Sequence, residues 1–504
     1  MEKTIDQYKI ESDNIAAEVK IVKDAGRNPK YFLAKPRLAP PTLALLDEIR
    51  DKIIEKLSLS SEEILDQKIS IELKERFREL ASKMLTQYLE NLPDKTKNFL
   101  IGILIHDSLG LGEVEFLISD PYLEEIVISS SKEPVRVYHK KYGWLETNIE
   151  IKDEAQILNY SNAIARRIGR QITTLSPLLD AHLVTGDRVN AVLYPIASKG
   201  NTITLRKFNT DPVTVTDMIN GNVSSVHVFA LIWMSLEYEM NMLVSGGTAS
   251  GKTTFLNVCM PFIPTNHRII SIEDTRELYL PKYLYWTPLV TRPPNPEGQG
   301  QISMLDLLVN SLRMRPDRII LGEIRRKEEA EILFEAMHTG HSVYATVHAD
   351  SSNETIKRLV NPPIEIPENL LEQVHLNVVM FRDRRRGIRR TYQVSEFVQS
   401  GDEDSGHVKP NLLYRWNPAS DKIVEHMQSI RLFEQLTRFT GLSKMEVDKD
   451  ILTREKILEW MVKRNIRDVQ AVGKVIREYY LDKDNLINLV NKNADPRSIL
   501  EKND

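Results

Sequence analysis

Apolar residues recur at helical spacing through KERFRELASKMLTQYLENL at 74–92, where Phe77, Leu80, Met84, Leu85, Tyr88 and Leu89 share one face. Residues 1–95 therefore read as a charged, helical N-terminal extension. PKYFLAKPRLAPPT interrupts it, and its four prolines predict an extended connector between the first ~28 residues and the helices after 42. Over 96–208 the pattern becomes mixed α/β: TKNFLIGILIHDSL predicts a helix, while EEIVISS, VRVYHKK, VNAVLYP and NTITLRKF alternate as strands do. The stretch 209–225, rich in Pro, Gly, Asn and Ser, predicts a linker. Between 226 and 400 helices alternate with the short apolar strands NMLVSG, RIISIED, DRIILGE, HSVYATVH and HLNVVMF. Such alternation predicts an α/β fold, a parallel sheet with helices on both faces. Residues 401–504 return to helical spacing, most clearly in REKILEWMVKRN and AVGKVIREYYLD, and read as a mainly helical subdomain.

With 504 residues, two or three domains are expected. A net charge of −4 shows none of the basic excess of nucleic-acid binders, so no nucleic-acid partner is expected. The single cysteine, Cys259, cannot form an internal disulfide or supply a four-cysteine zinc site. In its apolar setting, FLNVCM, it reads as a small buried hydrophobe, and a reducing, cytoplasmic compartment fits. The polar N-terminus carries no signal-like apolar stretch. The longest apolar runs, such as FLIGILI at 99–105, fall far short of the ~20 residues a membrane span needs. Work at a membrane would need something else to hold the protein there.

Chemistry concentrates in the 226–400 stretch. GGTASGKT (Gly246, Gly247, Thr248, Ala249, Ser250, Gly251, Lys252, Thr253) fits G-x-x-x-x-G-K-[ST] at every fixed position, with Thr254 next and a strand and a helix on either side. Glycines let backbone N–H groups turn inward around a phosphate, and the helix N-terminus adds partial positive charge. Lys252 then reaches the β- and γ-phosphates and the Thr253 hydroxyl a Mg²⁺ ion. RIISIEDTRE places Glu273, Asp274 and Glu277 just past one strand, and DRIILGEIR places Glu323 after another. Ligands of open α/β sheets bind beyond the carboxyl ends of the strands, so both clusters are expected to face the phosphate loop. TGHSVYATVHA sets His341 and His348 around a strand. A metal pair is disfavoured without a nearby Cys; satisfied polar groups or sensors of the γ-phosphate remain. RDRRRGIRR at 382–390, with six arginines, reads as a solvated hairpin turn, or else a contact for protein or anionic lipid.

In this order, GGTASGKT, IEDTRE, ILGEIR and TGHSVYATVHA resemble the Walker A, Asp, Walker B and His boxes of the type II/type IV secretion ATPase superfamily. LGEVEFLISDPYLEEIVIS, LLDAHLVTGDRVNAV and TITLRKF extend the resemblance over roughly residues 95–400, and the C-terminal helices are most similar to the archaeal pilus-assembly and archaellum branch. The box reads Asp-Thr where many relatives have Asp-Pro. The resemblance implies a RecA-like ATPase domain joined by a mobile linker to a PAS-like N-terminal domain, in a homo-hexamer. It implies ATP and Mg²⁺ as ligands, Glu277 as the water-activating carboxylate, and Glu323 near Mg²⁺. Arg188 and Arg206 would bring charge from the N-terminal domain to the phosphates, and Arg325 is a weaker candidate. The protein is then expected at the cytoplasmic face of the membrane, working on a polytopic platform protein to assemble a pilus or drive secretion. An archaellum motor is the alternative. A nucleic-acid motor on the same fold would need a basic groove, and a non-hydrolysing switch would not need Lys252, Glu277 and Glu323 together. The first ~90 residues, outside all four boxes, are expected to be dispensable for hydrolysis.

Overall fold

The structure, a computed structural model, describes residues 3–501 apart from 25, 27, 36–37, 58–66, 90, 169, 184–185, 209–211, 295–297 and 401–406. The chain divides into two units, one built from residues 1–209 and the other essentially from 210–504. Among the described residues each carries a nine-stranded sheet, and both units are mixed α/β.

The first unit begins with strands, not helices: β1 (Lys3–Ser12), β2 (Ile15–Lys23) and β3 (Lys30–Ala34). Asp13 and Asn14 both take positive φ (48° and 66°), the tight turn that joins β1 to β2. Helices α1 (Pro40–Leu57), α2 (Gln67–Tyr88), α3 (Asp94–Ser108) and α4 (Val114–Ser119) follow. Then come β4 (Leu123–Ile128), β5 (Arg136–His139), β6 (Gly143–Thr147), α5 (Glu154–Arg167), β7 (Leu178–His182), β8 (Arg188–Val192) and β9 (Thr202–Arg206). The strand order is β1-β2-β3-β6-β5-β4-β9-β8-β7, with β3 parallel to β6.

One expectation changes here. The helical extension over 1–95 holds only from α1 onward, because alternating Ile15, Ala17, Val19 and Ile21 place one face of β2 in the core that Val137, Leu145 and Val189 also fill. The first strands are thus built into the core of the first unit. The Tyr8 and Tyr31 hydroxyls both donate to the buried Asp120 carboxylate, each at 2.8 Å, so removing them would strip apolar cover and orphan an acid.

The second unit opens with α6 (Val215–Asn220), α7 (Val226–Glu237) and β10 (Met242–Gly246). It continues with α8 (Lys252–Cys259), β11 (Arg268–Glu273), β12 (Tyr285–Val290), α9 (Met304–Ser311), β13 (Arg318–Leu321), α10 (Lys327–His338), β14 (Ser342–Val347) and α11 (Ser352–Val360). After β15 (Leu376–Asp383), β16 (Ile388–Gln399), β17 (Val408–Asn417) and β18 (Lys422–Glu425) come α12 (Leu432–Thr440), α13 (Lys444–Lys463), α14 (Val469–Leu481), α15 (Lys483–Asn491) and α16 (Arg497–Leu500). The sheet runs β12-β11-β13-β14-β10-β15-β16-β17-β18; β12 to β15 are parallel and the rest antiparallel. Alternation along the parallel strands splits the core by face. Met242, Val244, Ile269, Ile320 and Tyr344 pack with α7, α8, α13 and α14. Leu243, Ile270, Ile319, Leu321 and Val343 pack with α9, α10 and α11. Helices on both faces are thus observed. Cys259 is buried in the first of these cores, where burial pushes its thiol up.

The linker expected over 209–225 is folded in its described part. Residues 209–211 lie outside the described residues. A Thr214–Asp217 capping box starts α6, Val215 and Met218 are buried, and the Thr216 hydroxyl donates to Ile466 O at 2.6 Å. The subdomain expected over 401–504 is not separate either: β17 and β18 extend the sheet, and Ile457, Met461 and Ile476 share the core of Phe255 and Trp233. Among the described residues no helix is long and apolar enough to cross a membrane.

Candidate active site

The phosphate-loop sequence lies between β10 and α8, at the carboxyl end of a central strand. Three residues have left-handed or extended positive φ: Gly246 (151°), Ala249 (58°) and Gly251 (94°). At Gly246 space as well as torsion excludes a side chain, since a Cβ there would lie 2.6 Å from Met380 O and 2.5 Å from Ser250 Oγ. Ser250 Oγ and Lys252 Nζ both donate to Gly247 O, at 2.9 and 3.1 Å, closing the loop on itself. Thr248, Ala249 and Thr254 are exposed; Thr253 is half-buried.

Acids gather around the lysine. Burial lowers the Lys252 ammonium from its ordinary value, and the nearby charges of Glu323, Asp350 and Glu277 work against that. Parallel pairing explains the gathering: β10, β11, β13 and β14 end at one edge, so residues just past their carboxyl ends converge. Glu323 accepts from Arg325 Nε at 2.8 Å, and Arg325 also bridges to Asp274. Asp274 in turn accepts from Thr291 Oγ1 at 3.2 Å. Arg325 therefore holds the two acidic boxes together.

Glu273 differs from its neighbours. It is only 2% exposed, and its Oε1 accepts from the backbone N–H groups of Glu277 and Leu278 at 2.9 and 3.1 Å. Its Oε2 is buried without a hydrogen-bond partner among the described residues, and burial pushes the carboxyl up to about 7. Glu273 thus clamps the turn that presents the exposed Glu277.

The two histidines do not meet. His348 follows β14 at the edge shared with the phosphate loop, because Ser245 is in register with Val347. His341 precedes β14, seven residues earlier, which is about 20 Å along a strand. It accepts or donates with Thr339 Oγ1 at 3.3 Å and is not part of this chain's loop site. His341 is corrected accordingly: a strand of six residues separates its flanks to opposite edges. Asp350, two residues beyond His348, was overlooked in the sequence; a Cβ on Gly247 would lie 2.6 Å from its Oδ1.

Arg188 and Arg206 lie in the first unit, directly opposite each other on β8 and β9. Arg188 makes a two-pronged pair with Asp180, at 3.1 and 2.7 Å, and Arg206 faces Glu125 across β4. RDRRRGIRR is the β15–β16 hairpin, with Gly387 at φ 67°. Its arginines diverge: Arg390 is buried on Asp421, while Arg389 leans on the phosphate loop, its Nε donating to Ala249 O at 3.3 Å.

A parallel sheet whose central strand ends in a glycine-rich loop and helix, ringed by carboxylates, defines a candidate nucleotide site of the P-loop class. The sequence model of a family described as type II/IV secretion system protein matches residues 109–385, and the chain belongs to that family. An uncharacterized protein of Methanocaldococcus jannaschii, MJ0900, is 36% identical over 396 residues, 77% of this chain and 70% of the relative. A putative conjugal transfer protein of Mycobacterium tuberculosis, MT3759, is 32% identical over 225 residues, 43% of this chain and 63% of the relative. Among solved structures, the ATPase DotB of Legionella pneumophila aligns over 75% of this chain and 94% of its own at 18% identity, with a TM-score of 0.39. That likeness is too distant to bear on the site.

Proposed function

We propose that the chain is a Mg²⁺-dependent ATP hydrolase that turns nucleotide hydrolysis into motion for assembly of a type IV-like pilus or a secretion machine. The observation that carries the reading is the convergence of Lys252, Glu277, Glu323 and Asp350 at the mouth of the 246–253 loop. Backbone N–H groups of the loop and the N-terminus of α8 would hold the β-phosphate, and Lys252 would swing from Gly247 O onto the β- and γ-phosphates. The Thr253 hydroxyl and Glu323, the latter through water, offer only oxygen donors, the set that suits Mg²⁺. Bound there, the ion would neutralise charge developing on the γ-phosphate. Glu277, exposed on a turn fixed from beneath by Glu273, would orient and deprotonate the attacking water. Arg325 would release Glu323 as the site fills, and His348 would sense the γ-phosphate from the strand end. Arg188 and Arg206 would complete the site when a first unit closes on a nucleotide, within a homo-hexamer. Force would pass to a polytopic membrane protein at the cytoplasmic face, consistent with the conjugal-transfer description of a relative. The test is turnover of Mg-ATP by the full chain with Lys252→Ala as comparison. Phosphate release that the variant abolishes is expected; turnover within a few-fold of the parent refutes the assignment of the loop.

A further inference from the structure

The hairpin arginines, expected as a solvated turn or else a contact for protein or anionic lipid, do three different things. Arg390 is buried, its guanidinium paired with Asp421 at 2.7 Å through both Nε and a terminal nitrogen, and it also donates to Gly221 O. Arg384, Arg385 and Arg386 are exposed around the turn, where the Asp383 carboxylate accepts from the backbone of Arg385 and Arg386. Arg389 points the other way, across the sheet edge. Its Nε bonds Ala249 O at 3.3 Å, and its Cδ lies 3.4 Å from where a Cβ of Gly251 would stand. Among the described residues its two terminal amino groups have no hydrogen-bond partner. Arg389 lies beyond residue 385, where the family match ends, so nothing in that match assigns it a role.

The side of the loop matters. The acids that surround Lys252, including Asp350 against Gly247, mark where the terminal phosphate and attacking water belong. Arg389 touches the loop at Ala249 and Gly251, away from Gly247. In such a loop the N–H groups face the anion and carbonyls lie on the rim. A guanidinium anchored on a rim carbonyl keeps two forked donors and a charge that no accessible pH removes. We infer that Arg389 is a nucleotide-binding residue supplied by the β15–β16 hairpin, and that its free fork binds the α-phosphate at the nucleoside end of the nucleotide. This deepens the ATPase reading and rests on the phosphate-loop assignment. It predicts a contact made equally with ATP and ADP, which sets affinity and leaves the hydrolytic step alone.

The experiment is calorimetric titration of the full chain with Mg-ADP and, separately, with inorganic phosphate, which fills one phosphate position of the loop and brings no second phosphate for Arg389. Arg389→Ala is expected to weaken ADP binding about tenfold, the scale of one charge-assisted hydrogen bond, and to change phosphate binding less than about twofold. Arg389→Lys, which keeps the charge but not the fork, is expected to recover only part of the ADP affinity, and Arg385→Ala on the exposed turn to change neither ligand. Equal weakening of both ligands by Arg389→Ala would mean that the side chain merely braces the loop. No weakening, or an equal effect from Arg385→Ala, would likewise overturn the assignment. Lys252→Ala separates the two levels: if it binds both ligands as the parent does, the phosphate-loop reading itself fails and takes this inference with it.

Discussion

Replacing Glu273 by Gln should remove a pH dependence of stability whose sign and size follow from its burial. In the folded chain the carboxyl sits at about 7, against an ordinary value of 4.5, because its surroundings exclude water and only two backbone N–H groups favour the anion. Below pH 4.5 the group is protonated whether the chain is folded or not. Between 4.5 and 7 the folded state keeps a proton that the unfolded chain releases, so stability falls as pH rises, and it levels off above 7. The whole difference is worth about 3 kcal/mol, most of it between pH 5 and pH 8. Gln keeps an acceptor for Glu277 and Leu278 but cannot ionise; its amide would stand where Oε2 has no partner, a constant cost of about 1–3 kcal/mol. Urea unfolding without nucleotide, followed by tryptophan fluorescence, suits the measurement, since Trp233, Trp286, Trp416 and Trp460 all lie in the second unit. Subtracting variant from parent at each pH cancels the other titrating groups. The parent should lose ground to the variant by about 2–3 kcal/mol from pH 5 to pH 8. A difference flat to within about 0.5 kcal/mol would show that Glu273 is ionised throughout, and that the site is wetter than its 2% exposure implies.

Glu277→Gln and Glu323→Gln should each bind nucleotide and lose about 10²–10⁴ in turnover, read from phosphate release beside nucleotide titration; normal turnover in Glu277→Gln would move the water-activating role elsewhere, Glu273 first. Arg206→Ala should lower turnover strongly with fold and nucleotide binding kept; unchanged turnover in both Arg206→Ala and Arg188→Ala would remove closure of the first unit from the mechanism. Glu396→Ala should cost about 3 kcal/mol or more in thermal unfolding. Its buried carboxylate accepts from the backbone N–H groups of Ile430, Arg431 and Leu432 and from Ser429 and Asn411, all of which would lose their acceptor.

What the sequence shows and what it hides follow the range of the interactions concerned. The parallel strands were legible because each is an apolar run ending in a turn signal, and the loop because its glycines are demanded by local torsion and by Met380 O. The β1–β2 hairpin was equally local and was overlooked: Ile15, Ala17, Val19 and Ile21 alternate, and Asp13–Asn14 is a turn pair. The charged residues between the apolar ones drew attention away from that period. Arg389 was hidden for another reason. Six arginines in nine residues look alike, and only pairing across β15, β16 and β17 decides that Arg390 is buried, Arg389 reaches the loop and the three on the turn face water.

The same long-range contacts determine what can move. Composition marked 209–225 as a linker and 401–504 as a subdomain, yet their described parts are tied into one core. Thr216 bonds Ile466 O, Thr391 N bonds Val223 O, the Trp233 indole donates to Tyr480, and the buried Arg454 pairs with Glu237 on α7 and Asp450 on its own helix. Polar and glycine-bearing sequence signals freedom only if nothing distant claims its backbone, and here α6 and the C-terminal helices claim each other. The described residues of the second unit should therefore respond to nucleotide as one body, with the loop, the acid cluster and Arg389 held in a common frame. On the proposed function, a stroke would then come from motion of this unit as a whole, not from bending between the sheet and the helices that follow it.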